Sequence, residues 1–306
     1  MDRLICGNTS AAFAPDSALS SFVVRGHEIM GAWQGSKGPC SGMTMWPVVG
    51  LVSASSKFIY DGQVFEPGKH GYLRGKPLAV EKRSDSQMIF SHDHDPATQA
   101  GVYPFANQIT IDHVLGADAV LTTVSAANKS SVPLRFGAGL HPAFVWGADE
   151  NGDHGDSRVT LSESLPQGTK IYRTVDGKVQ EDAREDNAFE GGAMHLKAEN
   201  FVNDAYFVVL PEEHCGKEVK LVFSCPHNAF DLEVTLTGWD GFGIWSKPNA
   251  ASTFLCIEPL AGVALIDKEQ GDTPRLAEIK GLRSLAPAAM FKASMNMRPI
   301  FKSSSE

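Results

Sequence analysis

A histidine held between glycines and a proline is the first residue in this sequence that could transfer a proton. His141 follows Gly137 and Gly139 and precedes Pro142. Glycine permits close backbone approach or positive φ, and proline keeps the preceding residue extended, so the pattern predicts a strand end that presents one imidazole. Imidazole has an ordinary pKa near neutrality and can donate or accept a proton there. The alternative is a histidine that only caps a strand.

Glu258 is the second candidate, because it follows the apolar segment 253–257 and precedes a proline. A carboxylate at the end of an apolar strand is costly to bury unless it is paired or protonated. Burial should therefore raise its pKa toward the range in which it exchanges protons at neutral pH. Such a group marks a functional site, and a structural ion pair with an arginine is the alternative.

Three further residues could hold a small polar ligand. His70 and Arg74 lie four residues apart in a segment that contains glycine, and Asp204 immediately precedes an apolar strand. A loop can turn both of the first two side chains toward one ligand, and the arginine fork offers several donors to hydroxyls or a carboxylate. A structural histidine and a turn-forming aspartate are the alternatives.

Two segments resemble metal sites, and we predict that both are surface loops. Residues 92–95 alternate histidine and aspartate, but neighbours in an extended segment point to opposite sides. Residues 149–160 resemble a calcium loop, yet His154 and Thr160 occupy the positions that need glycine and glutamate. We expect neither a metal nor a cofactor.

The elements that position these residues are predicted to be strands. Short alternating apolar runs separated by polar turns recur about every ten residues from 78 to 144, which favours an all-β antiparallel sandwich over βαβ units. Asp61-Gly62 predicts a two-residue hairpin turn. Residues 119–124 and 132–136 are predicted to form a hairpin that delivers His141, and residues 174–192 an irregular excursion.

Composition predicts one domain over residues 1–306, with loose ends at 1–18 and 302–306. The 306 residues carry a net charge of −9 without a lysine and arginine cluster, which argues against nucleic acid or an anionic membrane as partner. A small molecule fits better, bound by a monomer or homodimer. Five cysteines without C-x-x-C spacing predict reduced thiols, and the absence of an apolar leader predicts a cytoplasmic protein.

Seven short motifs together resemble the aldose 1-epimerase (galactose mutarotase) family, most closely its bacterial branch that includes the LacX-like proteins. The resemblance covers about residues 20–298. The motifs are Met-Trp-Pro-Val-Val-Gly (45–50), His-Gly-Tyr-Leu-Arg (70–74), Tyr-Pro-Phe (103–105), Gly-Leu-His-Pro-Ala-Phe (139–144), Asn-Asp-Ala (203–205), Ile-Trp-Ser-Lys-Pro (244–248) and Cys-Ile-Glu-Pro (256–259).

The resemblance implies a large antiparallel β-sandwich with a sugar in an open groove. It implies that Glu258 is the general base, His141 the general acid and His70 an accessory group near the ring oxygen. By the same resemblance, Asp204 and Arg74 hold substrate hydroxyls. Two departures stand out: Leu140 replaces the usual glycine before the histidine, which predicts a bulky side chain beside the acid, and Tyr72-Leu73 replaces Phe-Ala.

The implied activity is interconversion of the α and β anomers of a free aldose by acid and base catalysis. Three alternatives remain. A glycosidase would use Glu258 and Asp204 as its two carboxylates. A sugar-binding sandwich would need neither proton-transfer group. A mutarotase for hexose 6-phosphates would need two or more converging basic residues. Because the motifs contain only Arg74, with Arg25, Lys76 and Arg135 as further candidate cations, a neutral sugar is preferred.

Overall fold

Strands form almost all of the regular structure in the described part of the chain. The computed structural model describes residues 2–31, 34–35, 38–39, 42–175, 177–248, 252–266 and 271–303. The first strands are β1 (Asp2–Cys6), β2 (Thr9–Phe13), β3 (Leu19–Val24), β4 (His27–Glu28), β5 (Gln34–Gly35), β6 (Gly38–Pro39), β7 (Met43–Met45), β8 (Phe58–Tyr60), β9 (Gln63–Phe65), β10 (Ala79–Lys82), β11 (Gln87–His94), β12 (Asn107–Leu115), β13 (Val120–Asn128) and β14 (Leu134–Phe136). The remainder are β15 (Ala138–His141), β16 (Ala143–Val145), β17 (Arg158–Leu161), β18 (Lys170–Val175), β19 (Lys178–Arg184), β20 (Ala193–His195), β21 (Tyr206–Val209), β22 (Val219–Ser224), β23 (Phe230–Thr237), β24 (Gly241–Trp245), β25 (Phe254–Ala261), β26 (Arg283–Leu285) and β27 (Met290–Phe301).

Two large antiparallel sheets dominate these ranges. The nine-stranded sheet has the order β10-β11-β12-β13-β27-β23-β22-β17-β20. The eight-stranded sheet has the order β19-β18-β21-β24-β25-β15-β7, with β16 paired to β25 beside β15. The predicted all-β antiparallel sandwich is confirmed.

The sheets pack through one continuous buried cluster. It contains Val124 and Met295 from the nine-stranded sheet and Val208, Ile244 and Ile257 from the eight-stranded sheet. Side chains alternate across a strand, so the eight-stranded sheet has a second face that points away from this core. That outer face carries the candidate site.

The N-terminal segment is ordered, and the prediction of a loose end at residues 1–18 was wrong. β1 to β4 form an antiparallel four-stranded sheet, and Leu4, Phe13 and Phe22 are buried in the main core. Small and polar residues at alternate positions hid the two strands, because each has only a few apolar side chains to bury. At the other end, residues 302 and 303 have no regular structure, and 304–306 lie outside the described ranges.

Four short 3₁₀ turns, at Glu190–Gly192, Ala198–Phe201, Glu212–His214 and Leu276–Glu278, are the helical elements of the described ranges. None of them has the length and apolar content needed to cross a bilayer.

The turn between β8 and β9 confirms one sequence prediction. Tyr60 pairs with Gln63, and both Asp61 and Gly62 have positive φ, as a two-residue type I′ connection requires.

Three other local predictions were wrong. β13 pairs with β12 and β27 while β14 pairs with β26, so residues 119–136 form no hairpin. Residues 174–192 include the end of β18 and all of β19 instead of an irregular excursion. His92 and His94 lie in β11, and His94 is buried against the Tyr103 carbonyl oxygen at 2.8 Å.

Four cysteines lie in the described ranges: Cys6, Cys215, Cys225 and Cys256. All four are free thiols, as predicted, and Cys40 lies outside the described residues.

Candidate active site

A groove on the outer face of the eight-stranded sheet brings all five predicted site residues together. His70, Arg74, His141, Asp204 and Glu258 line one space of about 640 Å³, which includes the part open to solvent. Lys69, Thr174, Phe207 and Trp245 also line it.

His141 and Glu258 reach the groove from adjacent strands. His141 is the last residue of β15, which confirms the predicted strand end, and Glu258 lies inside β25 instead of at its end. β15 and β25 are paired through Gly139 and Leu260, which sets the two functional residues side by side. His141 Nε2 lies 3.4 Å from Glu258 Oε1, and the residues are only 5% and 2% exposed.

The alternation of side chains corrects the prediction for Leu140. Leu140 is buried in the main core, so its side chain points to the opposite face from His141 and leaves the groove unobstructed. Tyr72 and Leu73, the other departures from the family pattern, are not among the groove-lining residues.

The glycines before His141 serve close packing and not positive φ. A Cβ on Gly137 would lie 2.4 Å from the Gly262 carbonyl oxygen, and one on Gly139 would lie 2.8 Å from the Pro259 carbonyl oxygen. Both contacts are shorter than real Cβ atoms tolerate. The glycines therefore let β15 approach β25 closely enough for the pair to form.

Burial shifts both pKa values of the pair away from their ordinary ranges. Burial, reinforced by the negative charge of Asp204, raises the pKa of Glu258 to about 8. Burial also lowers the pKa of His141 to about 3, with a smaller contribution from the positive charges of Arg74 and Lys69. At neutral pH the groove thus holds a protonated carboxyl group beside a neutral imidazole.

His70 is fixed from two sides by Gly50. The His70 amide donates to the Gly50 carbonyl oxygen at 2.8 Å, and the Gly50 amide donates to His70 Nδ1 at 3.2 Å. Met45 Sδ also lies 2.9 Å from Nδ1. Because the Gly50 amide can only donate, Nδ1 is the acceptor of that hydrogen bond and carries no proton. Burial, reinforced by nearby positive charge, holds the pKa of His70 well below its ordinary value, which leaves Nε2 as the N–H donor.

His70 and Asp204 both have strained backbones. Their φ angles are +64° and +67°, in the left-handed region that non-glycine residues rarely adopt. The Asp204 turn is held by Thr174, whose Oγ1 accepts a 2.8 Å hydrogen bond from the Ala205 amide. Backbone strain of this kind concentrates at functional sites, where surrounding structure maintains it.

Aromatic rings and a thiol complete the surroundings of His141. The rings of His70 and Trp245 stand nearly perpendicular to it, with centroids 5.4 and 5.7 Å away. Cys256 presents its sulfur so that one donor atom each of His141, Cys256 and Glu258 lies within 4.8 Å of the others. Within the described ranges, this is the group of three or more such side chains that could hold a metal ion, and a cation there would occupy the proton-transfer atoms themselves.

Lys69 is the residue that sequence reasoning missed. It precedes His70 directly and lines the groove, whereas the cations considered from the sequence, Arg25, Lys76 and Arg135, do not. Its position next to a candidate histidine was the available signal. A lysine in a loop carries no information about which way its side chain points until the tertiary contacts are known.

Comparison with known proteins identifies the family of the chain and its fold. The family model described as aldose 1-epimerase matches residues 51–264. The chain belongs to the aldose 1-epimerase family. No curated protein matches it.

Solved structures show the same fold for this epimerase-family chain. A galactose mutarotase related enzyme from Lactobacillus acidophilus shares 21% identity, with a TM-score of 0.83 and 99% of each chain covered. A galactose mutarotase-like protein from Lactobacillus casei shares 19%, with a TM-score of 0.81 and coverage of 98% and 99%. A GalM/aldose epimerase homologue from C. elegans shares 13%, with a TM-score of 0.70 and 98% of each chain covered.

Proposed function

We propose that this protein is an aldose 1-epimerase that interconverts the α and β anomers of a free aldose, with Glu258 and His141 as its proton-transfer pair. The observation that carries the proposal is the 3.4 Å approach of His141 Nε2 to Glu258 Oε1 at the floor of an open groove. Membership of the aldose 1-epimerase family supports the same class of reaction.

The reaction needs one acid and one base at neighbouring oxygens. Opening the ring removes the proton of the anomeric hydroxyl and protonates the ring oxygen; rotation of the carbonyl and reclosure then give the other anomer. Both oxygens are bonded to the same carbon, so a compact pair of groups reaches both. Each well-placed acid or base contributes about 10²–10⁴-fold to the rate.

The pair holds a single proton over a broad pH range. With pKa values of about 3 for His141 and about 8 for Glu258, the pair holds one titratable proton between those limits, and that proton lies on Glu258. The tautomers with this proton on Glu258 or on His141 have the same net charge, so they titrate as one unit. The family resemblance makes Glu258 the base, which corresponds to the tautomer with the proton on His141. Catalytic contacts often shorten when substrate binds.

The remaining predicted residues bind and orient the sugar. His70 presents its Nε2–H as a donor near the ring oxygen, because Gly50 occupies Nδ1. Asp204 accepts from sugar hydroxyls, and the Arg74 fork donates to them. Trp245 supplies an aromatic wall beside His141. Holding the sugar in one orientation supplies part of the rate enhancement.

Polarimetry of freshly dissolved α-glucose and α-galactose tests the proposal. The protein should accelerate mutarotation, Glu258→Gln should remove nearly all of the acceleration and His141→Asn should reduce it strongly, because neither amide accepts or donates the proton as required. Glu163→Gln, at an exposed position, is the matched control and should behave as the native protein does.

Two results would contradict the assignment. If Glu258→Gln kept close to the native rate, the base would lie elsewhere. If the native protein were inert on every aldose tested, a non-catalytic carbohydrate-binding function would replace the enzymatic one.

A further inference from the structure

The groove contains two exposed cations, and the proposed chemistry gives a role only to Arg74. Lys69 and Arg74 both line it. In the part of the chain that the structure describes, neither side chain forms an ion pair with a carboxylate, although eleven other lysines and arginines do. Their charges are therefore available to a ligand.

The side chain of Lys69 reaches from its own segment to the turn between β18 and β19. A Cβ built on Gly177, between β18 and β19, would lie 3.3 Å from Lys69 Nζ, so the absence of a side chain there leaves room for the ammonium group. Lys69 directly precedes His70 in the sequence, and both residues line the groove. The ammonium group thus lies on the wall of the groove, where its positive charge contributes to lowering the pKa of both His70 and His141.

The charges in the groove do not cancel at neutral pH. Its two carboxyl groups are Asp204 and Glu258, and burial raises the pKa of Glu258 to about 8, so that group carries its proton. Two cations then face one carboxylate, in a chain whose net charge is −9. A cleft with an excess of one sign of charge attracts ligands of the opposite sign.

We infer that the groove selects aldoses that carry a carboxylate, the hexuronic acids, over neutral hexoses. The inference rests on the proposed function. In a hexopyranose the sixth carbon is attached beside the ring oxygen, so a histidine near that oxygen places the adjacent Lys69 near a C6 carboxylate. The single excess positive charge matches a monoanion, whereas a phosphate carries about −1.5 to −2 at neutral pH. An arginine fork such as that of Arg74 also fits the planar carboxylate.

Three classes of substrate with the same ring stereochemistry test whether the groove prefers a carboxylate, a neutral group or a phosphate at the sixth carbon. Mutarotation is measured for galacturonate and glucuronate, for galactose and glucose, and for the two hexose 6-phosphates. We expect kcat/KM for the uronates to exceed that for the neutral sugars at least tenfold at low ionic strength, with the advantage shrinking as salt screens the charges.

The variant Lys69→Gln tests the assignment of the residue. The ratio of uronate to neutral-sugar kcat/KM should fall several-fold, whatever the absolute rates, and this internal ratio is insensitive to a loss of folded protein. Lys292→Gln, at an exposed position on the nine-stranded sheet, is the matched control and should keep the native ratio.

The failures of the two proposals are distinguishable. A protein that accelerates mutarotation of no aldose refutes the proposed function. A protein that turns over neutral sugars as fast as uronates, that prefers the phosphates, or whose ratio survives Lys69→Gln refutes only the selection of carboxylates.

Discussion

Replacing Glu258 by glutamine should change how the stability of the protein depends on pH. The pKa of Glu258 is about 8 in the folded protein, against an ordinary value of 4.5 when the chain is unfolded. Between these values the folded state binds a proton that the unfolded state does not. The free energy of unfolding of the native protein must therefore fall as pH rises through this window. Glutamine has no proton to lose, so the variant lacks this contribution.

The two pKa values set the size of the effect. Each full pH unit inside the window costs about 1.4 kcal/mol, and integration from pH 5 to pH 8 gives about 3.5 kcal/mol. The native protein should lose this much stability relative to Glu258→Gln over that interval. All other titrating groups are shared by the two proteins and largely cancel in the difference.

Urea unfolding followed by tryptophan fluorescence measures this difference at several pH values, since the chain contains five tryptophans. Glu163→Gln, which removes an exposed carboxylate, should track the native protein at every pH. A difference between native protein and Glu258→Gln that stays constant within about 1 kcal/mol from pH 5 to pH 8 would show that Glu258 is not a desolvated carboxyl group. The account of the shared proton would then fail with it.

Three further outcomes are expected. First, kcat/KM for mutarotation should stay level near neutrality and decline above pH about 8, because the pair then loses its only proton; a rate that keeps rising to pH 10 would contradict the shared-proton model. Second, Asp204→Asn should lower kcat/KM about tenfold, mainly by raising KM. It should also move the alkaline decline of kcat/KM to lower pH, because it removes the negative charge that raises the pKa of Glu258. An alkaline decline at an unchanged pH would argue against that coupling. Third, Gly71→Ala should lower Tm more than Gly62→Ala: both glycines have positive φ, but only the Cβ on Gly71 would meet backbone, 1.9 Å from the Trp46 carbonyl oxygen. Equal shifts in thermal unfolding would count against that contact.

Several features of the fold could be predicted from the sequence because they depend on short segments. The alternation of apolar and polar residues identified an all-β chain, since that period has a direct structural meaning. Asp61-Gly62 identified the turn between β8 and β9 because both residues tolerate positive φ. His141 was correctly placed at the end of a strand by its flanking glycine and proline.

Local sequence patterns could not predict which strands pair when they are far apart in the chain. Residues 119–136 look like a hairpin, yet β13 pairs with β27, which lies about 160 positions further along the chain. A strand has two edges and a short loop does not oblige it to use its sequence neighbour. The small and polar residues of β1 and β2 likewise gave no sign that they form a sheet of their own.

Some features of the candidate site could likewise be predicted from the sequence, whereas others depend on the tertiary structure. The residue types of His70, Arg74, His141, Asp204 and Glu258 suggested acid–base and hydroxyl-binding chemistry, and a raised pKa for Glu258 was expected from its apolar neighbours. The inward orientation of Leu140, the 3.4 Å approach of His141 to Glu258 and the reach of Lys69 into the groove depend on the tertiary structure. The register between strands that are far apart in the chain decides which face a side chain takes. It also decides how far the side chain is from water and which charges surround it. Because side chains alternate along a strand, the register decides which residues face the groove. The burial that follows from that position then shifts their pKa values.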